Sequence, residues 1–253
     1  MKFKFNLKSQ LILYLFALAI FIILKNKNIP FLFAIFISVL SSIFVESLIL
    51  FLREKHFIVS QSSIITGLII GYVIAGNENW VKIVLVSLLA ILSKYLIRFH
   101  KKHIFNPAGF GLFLGTIFLG VSLEWQGTYL WYILIPFGIY FVYRIKRIPL
   151  LLGYIGVALF LFFIKAVLNN YSLKGFLYYF SYFYIFVMLI EPKTTPVEIL
   201  PQYFFGALNA FLAFVLAETG VRFDVELFSL LVLNASAPLL NLLSTKKGDT
   251  MKT

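Results

Sequence analysis

Two polar breaks cut an otherwise apolar chain, and each has an asparagine motif downstream. The first break is Gln61-Ser62-Ser63-Ile64-Ile65-Thr66-Gly67, followed by Phe105-Asn106-Pro107-Ala108-Gly109-Phe110. The second is Glu191-Pro192-Lys193-Thr194-Thr195-Pro196, followed by Leu233-Asn234-Ala235-Ser236-Ala237-Pro238-Leu239. Hydroxyls, a carboxylate and bare carbonyls are oxygen donors, and at membrane depth they suit a cation or a small polar solute. Ser63, Thr66, Glu191, Thr194 and Thr195 are therefore the candidate pathway residues. Pro192 and Pro196 bracket the two threonines, remove backbone donors and disfavour helix at the residue before each, so this stretch reads as unwound. A cytoplasmic loop with ordinary turn prolines is the competing reading. Asn106, with Pro107 behind it, and Asn234 suit the caps of half-helices, because an asparagine side chain accepts free amide protons and proline is tolerated in a first turn.

Two further ionisable residues stand inside apolar runs. Glu46 lies two helical turns before Arg53. It is either an inward carboxylate paired toward the helix end or a cation or proton site. Lys94 precedes Arg98 by four residues on one helical face. It either snorkels to the interface or places a positive charge beside the first break, where it would tune the local field. His56, His100 and His103 fall in expected cytoplasmic loops, and His100-Lys101-Lys102-His103 reads as loop charge. With no other histidine, a transmembrane bis-histidine haem is excluded. Gly71, Gly76, Gly109, Gly111 and Gly115 read as helix-packing glycines and not as a nucleotide fingerprint. No convergent acid, base and nucleophile set is visible, so catalysis by this chain is not expected.

The elements that must position these residues are membrane helices. The chain has 253 residues, is 61% hydrophobic and only 13% charged, and has a mean hydropathy of +0.96. A soluble domain is about a quarter charged, so this is a polytopic membrane protein with no room for a sizeable soluble domain. Cysteine is absent, which excludes disulfides and thiolate metal sites. The net charge of +12 sits at segment ends, where membrane topology explains it, so nucleic acid is not an expected partner and the lipid bilayer is. Ten apolar segments separate, at 11–24, 31–52, 60–76, 80–98, 106–121, 128–143, 147–168, 174–190, 201–217 and 226–243. Period-two alternation is missing, which argues against a barrel. Met1-Lys2-Phe3-Lys4 leads into the first segment without a small-residue cleavage site, so that segment reads as a span. With ten spans, only Lys25, Lys27, Lys82, Lys165, Lys174 and Arg222 fall on the side opposite the rest of the 22 Lys and Arg. The majority side is then cytoplasmic, with both termini there. The whole chain, 1–253, reads as a single membrane domain. Its halves, 1–124 and 125–253, hold five spans each. An odd number per half inverts the second half relative to the first, and short spans beside polar breaks read as discontinuous helices.

These motifs, in this order and spacing, resemble the NqrB/RnfD family, the ten-helix membrane subunits of sodium-pumping NADH:quinone oxidoreductase and of the Rnf electron-transport complex. Ser62 to Gly67 is similar to the family's Ser/Thr-Gly-Leu helix start, Lys94 to a lysine of the following helix, and Phe105-Asn106-Pro107-Ala108 to its Phe-Asn-Pro-Ala signature. Met188 to Pro196 is similar to its Asp-Pro-x-x-x-Pro segment with Glu191 for Asp, and Gly206 and Leu233 to Leu239 complete the set. The resemblance implies two inverted five-helix repeats like those of urea and ammonium channels. It also implies a prokaryotic cytoplasmic (inner) membrane location and other subunits of an Rnf/Nqr-like complex as partners. The expected role is a sodium or proton pathway coupled to electron flow. A stand-alone channel or transporter on the same scaffold is the alternative. The family's covalent FMN needs a Ser-Gly-Ala-Thr motif, and the corresponding loop, near Gly120 to Thr128, lacks it. A flavin is thus expected to be absent or to bind noncovalently as FMN or riboflavin. The family's glycine-rich approach to Asn-Pro-Ala is replaced here by Arg98 to His103.

Overall fold

The computed structural model describes residues 6–100, 102–128, 130–170 and 180–250, with side chains up to residue 242. It is all-helical apart from a hairpin of two-residue strands, β1 (Arg98–Phe99) and β2 (Lys102–His103). Among the described residues five helices are long and apolar enough to cross a membrane: α1 (Leu7–Asn26), α2 (Ile29–Glu54), α7 (Ile148–Leu168), α8 (Ile199–Glu218) and Val225–Leu242 of α9 (Val225–Thr250). The chain is an integral membrane protein on that basis. Four shorter helices join them: α3 (Gln61–Val73), α4 (Trp80–Leu96), α5 (Pro107–Leu119) and α6 (Trp131–Arg144). The expected span 174–190 lies partly outside the described residues. Its described part holds a π-helical segment, Tyr184–Met188. Many large apolar side chains, among them Phe36, Phe44, Leu52, Phe160, Phe163 and Leu239, are exposed. On an integral membrane protein such a surface is the one the acyl chains cover.

The chain divides into two compact units. One comprises the residues up to Leu96 with Pro107–Gly127, and the other Ile97–Asn106 with the residues from Thr128 onward. In the first unit the helix starts are set by local side chains. Asn6 accepts the Ser9 amide at 2.9 Å, Asn28 accepts that of Phe31 at 3.0 Å, and the Ser60 hydroxyl accepts that of Ser63 at 3.0 Å. Each supplies an acceptor to amides that have no partner within the helix. α2 packs on α3 and α4, α4 on α5, and α1 on α3. Glycine lets these backbones approach. A Cβ on Gly67 would stand 2.5 Å from the Val39 Cα, and one on Gly111 2.5 Å from the Val86 carbonyl oxygen.

α3 is short for a reason visible in its exit. Thirteen residues make a helix of about 20 Å, against a hydrocarbon core of about 30 Å. Beyond it the chain turns extended at Ile74 while still buried. Its free groups are met by the segment after α5. Ala75 donates to the Ser122 carbonyl at 2.9 Å, Glu124 to that of Val73 at 2.8 Å, and Gln126 to that of Tyr72 at 2.7 Å. Unwound backbone inside a membrane protein persists only where protein satisfies it in this way. At the adjoining turn Glu78 accepts the Ser122 amide at 2.7 Å and pairs with Lys82 at 3.1 Å. Partial burial alone would raise the Glu78 pKa, but these donors and the Asn79 amide outweigh it and hold the carboxyl below its usual value.

In the second unit α7 packs on α8, α8 on α9, and α6 on the π-helical segment. Here the close approach is reciprocal. Gly153 of α7 lies under the Tyr203 carbonyl of α8, and Gly206 of α8 lies under the Leu150 carbonyl of α7. Between the π-helical segment and α8 the chain is non-helical from Leu189 to Glu198, and Thr194 and Thr195 within it are buried.

Candidate functional site

The expected pathway residues divide between the units, and each unit builds a different kind of polar centre. In the first, Glu46 of α2 and Lys94 of α4 form an ion pair at 2.7 Å with side chains only 5% and 6% exposed. Tyr95 donates its hydroxyl to the same carboxylate oxygen at 3.0 Å, and Ser60 donates to the other at 2.7 Å. The pair is thus buried, close and hydrogen-bonded at both carboxylate oxygens, the geometry that offsets the cost of taking two charges out of water. Ser63 and Thr66 lie beside it on α3, both buried. Their hydroxyls turn back to their own helix: Ser63 donates to the Ser60 carbonyl at 2.7 Å and Thr66 to that of Ser62 at 2.9 Å. Ser63 thereby supports the cap residue that also holds Glu46, and neither hydroxyl offers its proton to a pathway.

In the second unit the break is held from three directions. Asn234 donates its amide to the Thr194 carbonyl at 3.1 Å and accepts the Asn106 backbone N–H at 2.8 Å. The Asn106 side chain in turn donates to the Met188 carbonyl at 3.2 Å, where the π-helical segment ends. Arg147, just before α7, is 6% exposed. Its Nε donates to the Thr195 hydroxyl at 2.9 Å and its Nη2 to the Pro192 carbonyl at 3.1 Å. Thr195 passes its own proton to the Glu191 carbonyl at 2.8 Å. Asn234 thus accepts the backbone amide that stands just before α5, and it does so from another helix. It sits inside α9, and its amide group satisfies the ends of other segments.

The oxygens expected to hold a metal cation are mostly engaged. The Pro192 and Thr194 carbonyls and the Thr195 hydroxyl already accept protons from Arg147 and Asn234. What remains is the Glu191 carboxylate. His103, 7% exposed, places Nε2 at 3.1 Å from Glu191 Oε1. Oε2 is buried and has no hydrogen-bond partner among the described residues. A buried acceptor without a donor costs roughly 1–3 kcal/mol. Imidazole and carboxylate in contact are suited to exchange of a proton.

His103 and Arg147 are residues of this centre that sequence reasoning does not single out. Both read in the sequence as charge at segment ends, and nothing in composition separates a buried charged side chain from an exposed one. The loop 120–127 uses its backbone amides on Tyr72, Val73 and the Glu78 carboxylate, and with the attachment motif missing it does not fit covalently held FMN. No protein-family model matches the chain, and no curated protein matches it either.

Proposed function

We propose that this integral membrane protein moves protons, on a scaffold of NqrB/RnfD type with two inverted five-helix repeats, and that Glu191 with His103 is the proton-accepting pair. The observation that carries the reading is the buried Glu191 Oε2 left without a donor beside an imidazole-bonded Oε1. Two supporting features accompany it. The residues that carry the family resemblance, Asn106, Met188, Thr194 and Asn234, meet in a single hydrogen-bonded knot around the break. The units also repeat an order of packing: α1 on α3, α2 on α4 and α4 on α5 correspond to α6 on the π-helical segment, α7 on α8 and α8 on α9. A sodium pathway is the weaker form of the proposal, because Arg147 and Asn234 already engage the oxygens that sodium would need.

The test is ion flux into vesicles carrying the purified protein, read with a pH-sensitive dye under an imposed potential and, in parallel, with a sodium indicator. Wild-type protein is expected to move protons, and Glu191→Gln to slow that flux by about tenfold, near 1.4 kcal/mol in barrier, with an unchanged elution profile. Proton flux that Glu191→Gln leaves at the wild-type rate sinks the site. Glu191-dependent sodium flux without proton flux sinks the ion assignment and returns the site to the sodium reading. Co-purification of redox subunits would place the pathway within an electron-transport complex, and unaided flux by the isolated chain would mark a stand-alone transporter.

A further inference from the structure

The second unit contains a cavity of 220 Å³. Its polar lining is Lys102 and His100 of the hairpin, His103, Lys193 and Thr194 of the break, and Asn241 of α9. No carboxylate is in the lining. Glu191 stands behind His103. Lys102 and Lys193 are exposed, and neither has an acidic partner among the described residues. The remaining wall is apolar, with Phe99, Pro238 and Leu242 among its members. Two lysines lining one concave, partly apolar space, with imidazole and amide side chains in the same lining and no carboxylate, have the composition of an anion receptor. The space is below the usual range for a drug-sized ligand, about 300–1,000 Å³, and suits one headgroup with an apolar neighbour.

We infer that this cavity binds a phosphate group, with Lys102 and Lys193 as the charged ligands and His100 and Asn241 as further contacts. Two sources share that chemistry, an anionic phospholipid headgroup and free phosphate. His103 of the proposed proton pair lines the cavity, but the inference rests on Lys102 and Lys193, and neither lysine touches Glu191 in any hydrogen bond or ion pair among the described residues.

The test uses the full chain and the Lys102→Gln/Lys193→Gln variant. Both lysines are exposed, so the variant is expected to elute and melt as wild type does. Each protein is recovered from vesicles of phosphatidylcholine and phosphatidylglycerol in equal parts and weighed by native mass spectrometry. Each is also melted in inorganic phosphate against chloride at matched ionic strength. Phosphatidylglycerol retained by wild type and lost at least about tenfold in the variant assigns a lipid headgroup. A phosphate-specific rise in melting temperature abolished by the variant assigns free phosphate. Wild type that shows neither effect, or a variant that shows the same effect as wild type, overturns the inference.

Discussion

At the scale of single residues the structure separates two uses of buried charge. Glu46 and Lys94 satisfy each other, and Tyr95 and Ser60 complete the carboxylate. Glu191 is left with an unmet oxygen. The first arrangement predicts a structural role with a definite signature. Lys94→Met leaves a carboxylate buried without its counter-charge, and breaking such a pair costs about 3–5 kcal/mol. Glu46→Gln/Lys94→Met removes both charges and is expected to recover at least half of that loss. Melting the four members of this cycle in detergent checks it, and a double variant no more stable than Lys94→Met would show that the pair carries no special coupling. Sequence alone exposed Glu46 and Lys94 one at a time, because ionisable residues in apolar runs are conspicuous. Their pairing was not legible across 48 positions. His103 was hidden for the opposite reason. A histidine among lysines looks like loop charge, and only the β1–β2 hairpin, which buries one residue of the pair Lys102–His103, turns it inward.

At the scale of elements the pattern of apolar runs sets where helices lie, and glycine sets how closely they pack. α1, α2, α7, α8 and α9 follow their apolar segments closely, and the polar residues within them, such as Glu46 and Asn234, stand singly and do not break the helix. α3 ends sooner than its segment, at Val73, because the extended pairing of residues 74–76 with 122–124 competes with further helix, and that pairing is a contact between distant parts of the chain. The break at Leu189–Glu198 was legible from Pro192 and Pro196. The clamp that makes it stable, Arg147 and Asn234, was not, since both come from other helices' surroundings. The α7–α8 contact gives an element-scale prediction. Gly206 lies directly under the Leu150 carbonyl, whereas Gly156, on α7, faces open space with nothing within 4 Å of an added Cβ. Gly206→Ala must push the helices apart and is expected to cost about 1–3 kcal/mol, the usual penalty of overpacking. Gly156→Ala adds helix propensity without a clash and is expected to be neutral or to stabilise by up to about 1 kcal/mol. Melting temperatures of the two variants check the contrast, and equal effects would mean that the helices do not approach this closely.

At the scale of the whole molecule, orientation follows from where positive charge gathers. Lys and Arg cluster around residues 53–55, 98–102 and 144–147, while the turn at Asn77-Glu78-Asn79 holds acid and amide. Positive loops resist transfer across the cytoplasmic membrane, so the reading that both termini are cytoplasmic puts Lys55 on the inner side and Asn77 on the outer. These positions are separated by α3, a helix of about 20 Å, and by the extended, buried residues 74 and 75, which on that reading complete the traverse. The prediction is therefore about a short helix doing the work of a full span. The chain has no cysteine, so single reporters are clean, and both positions are exposed. With an impermeant maleimide applied to intact cells, Asn77→Cys is expected to label and Lys55→Cys to label only after the membrane is opened. Labelling of both from outside would mean that α3 returns to the side it entered, as a re-entrant loop does. The five-and-five arrangement would then fail, because losing one crossing in the first unit would set the charged loops after α4 and α6 on the wrong face.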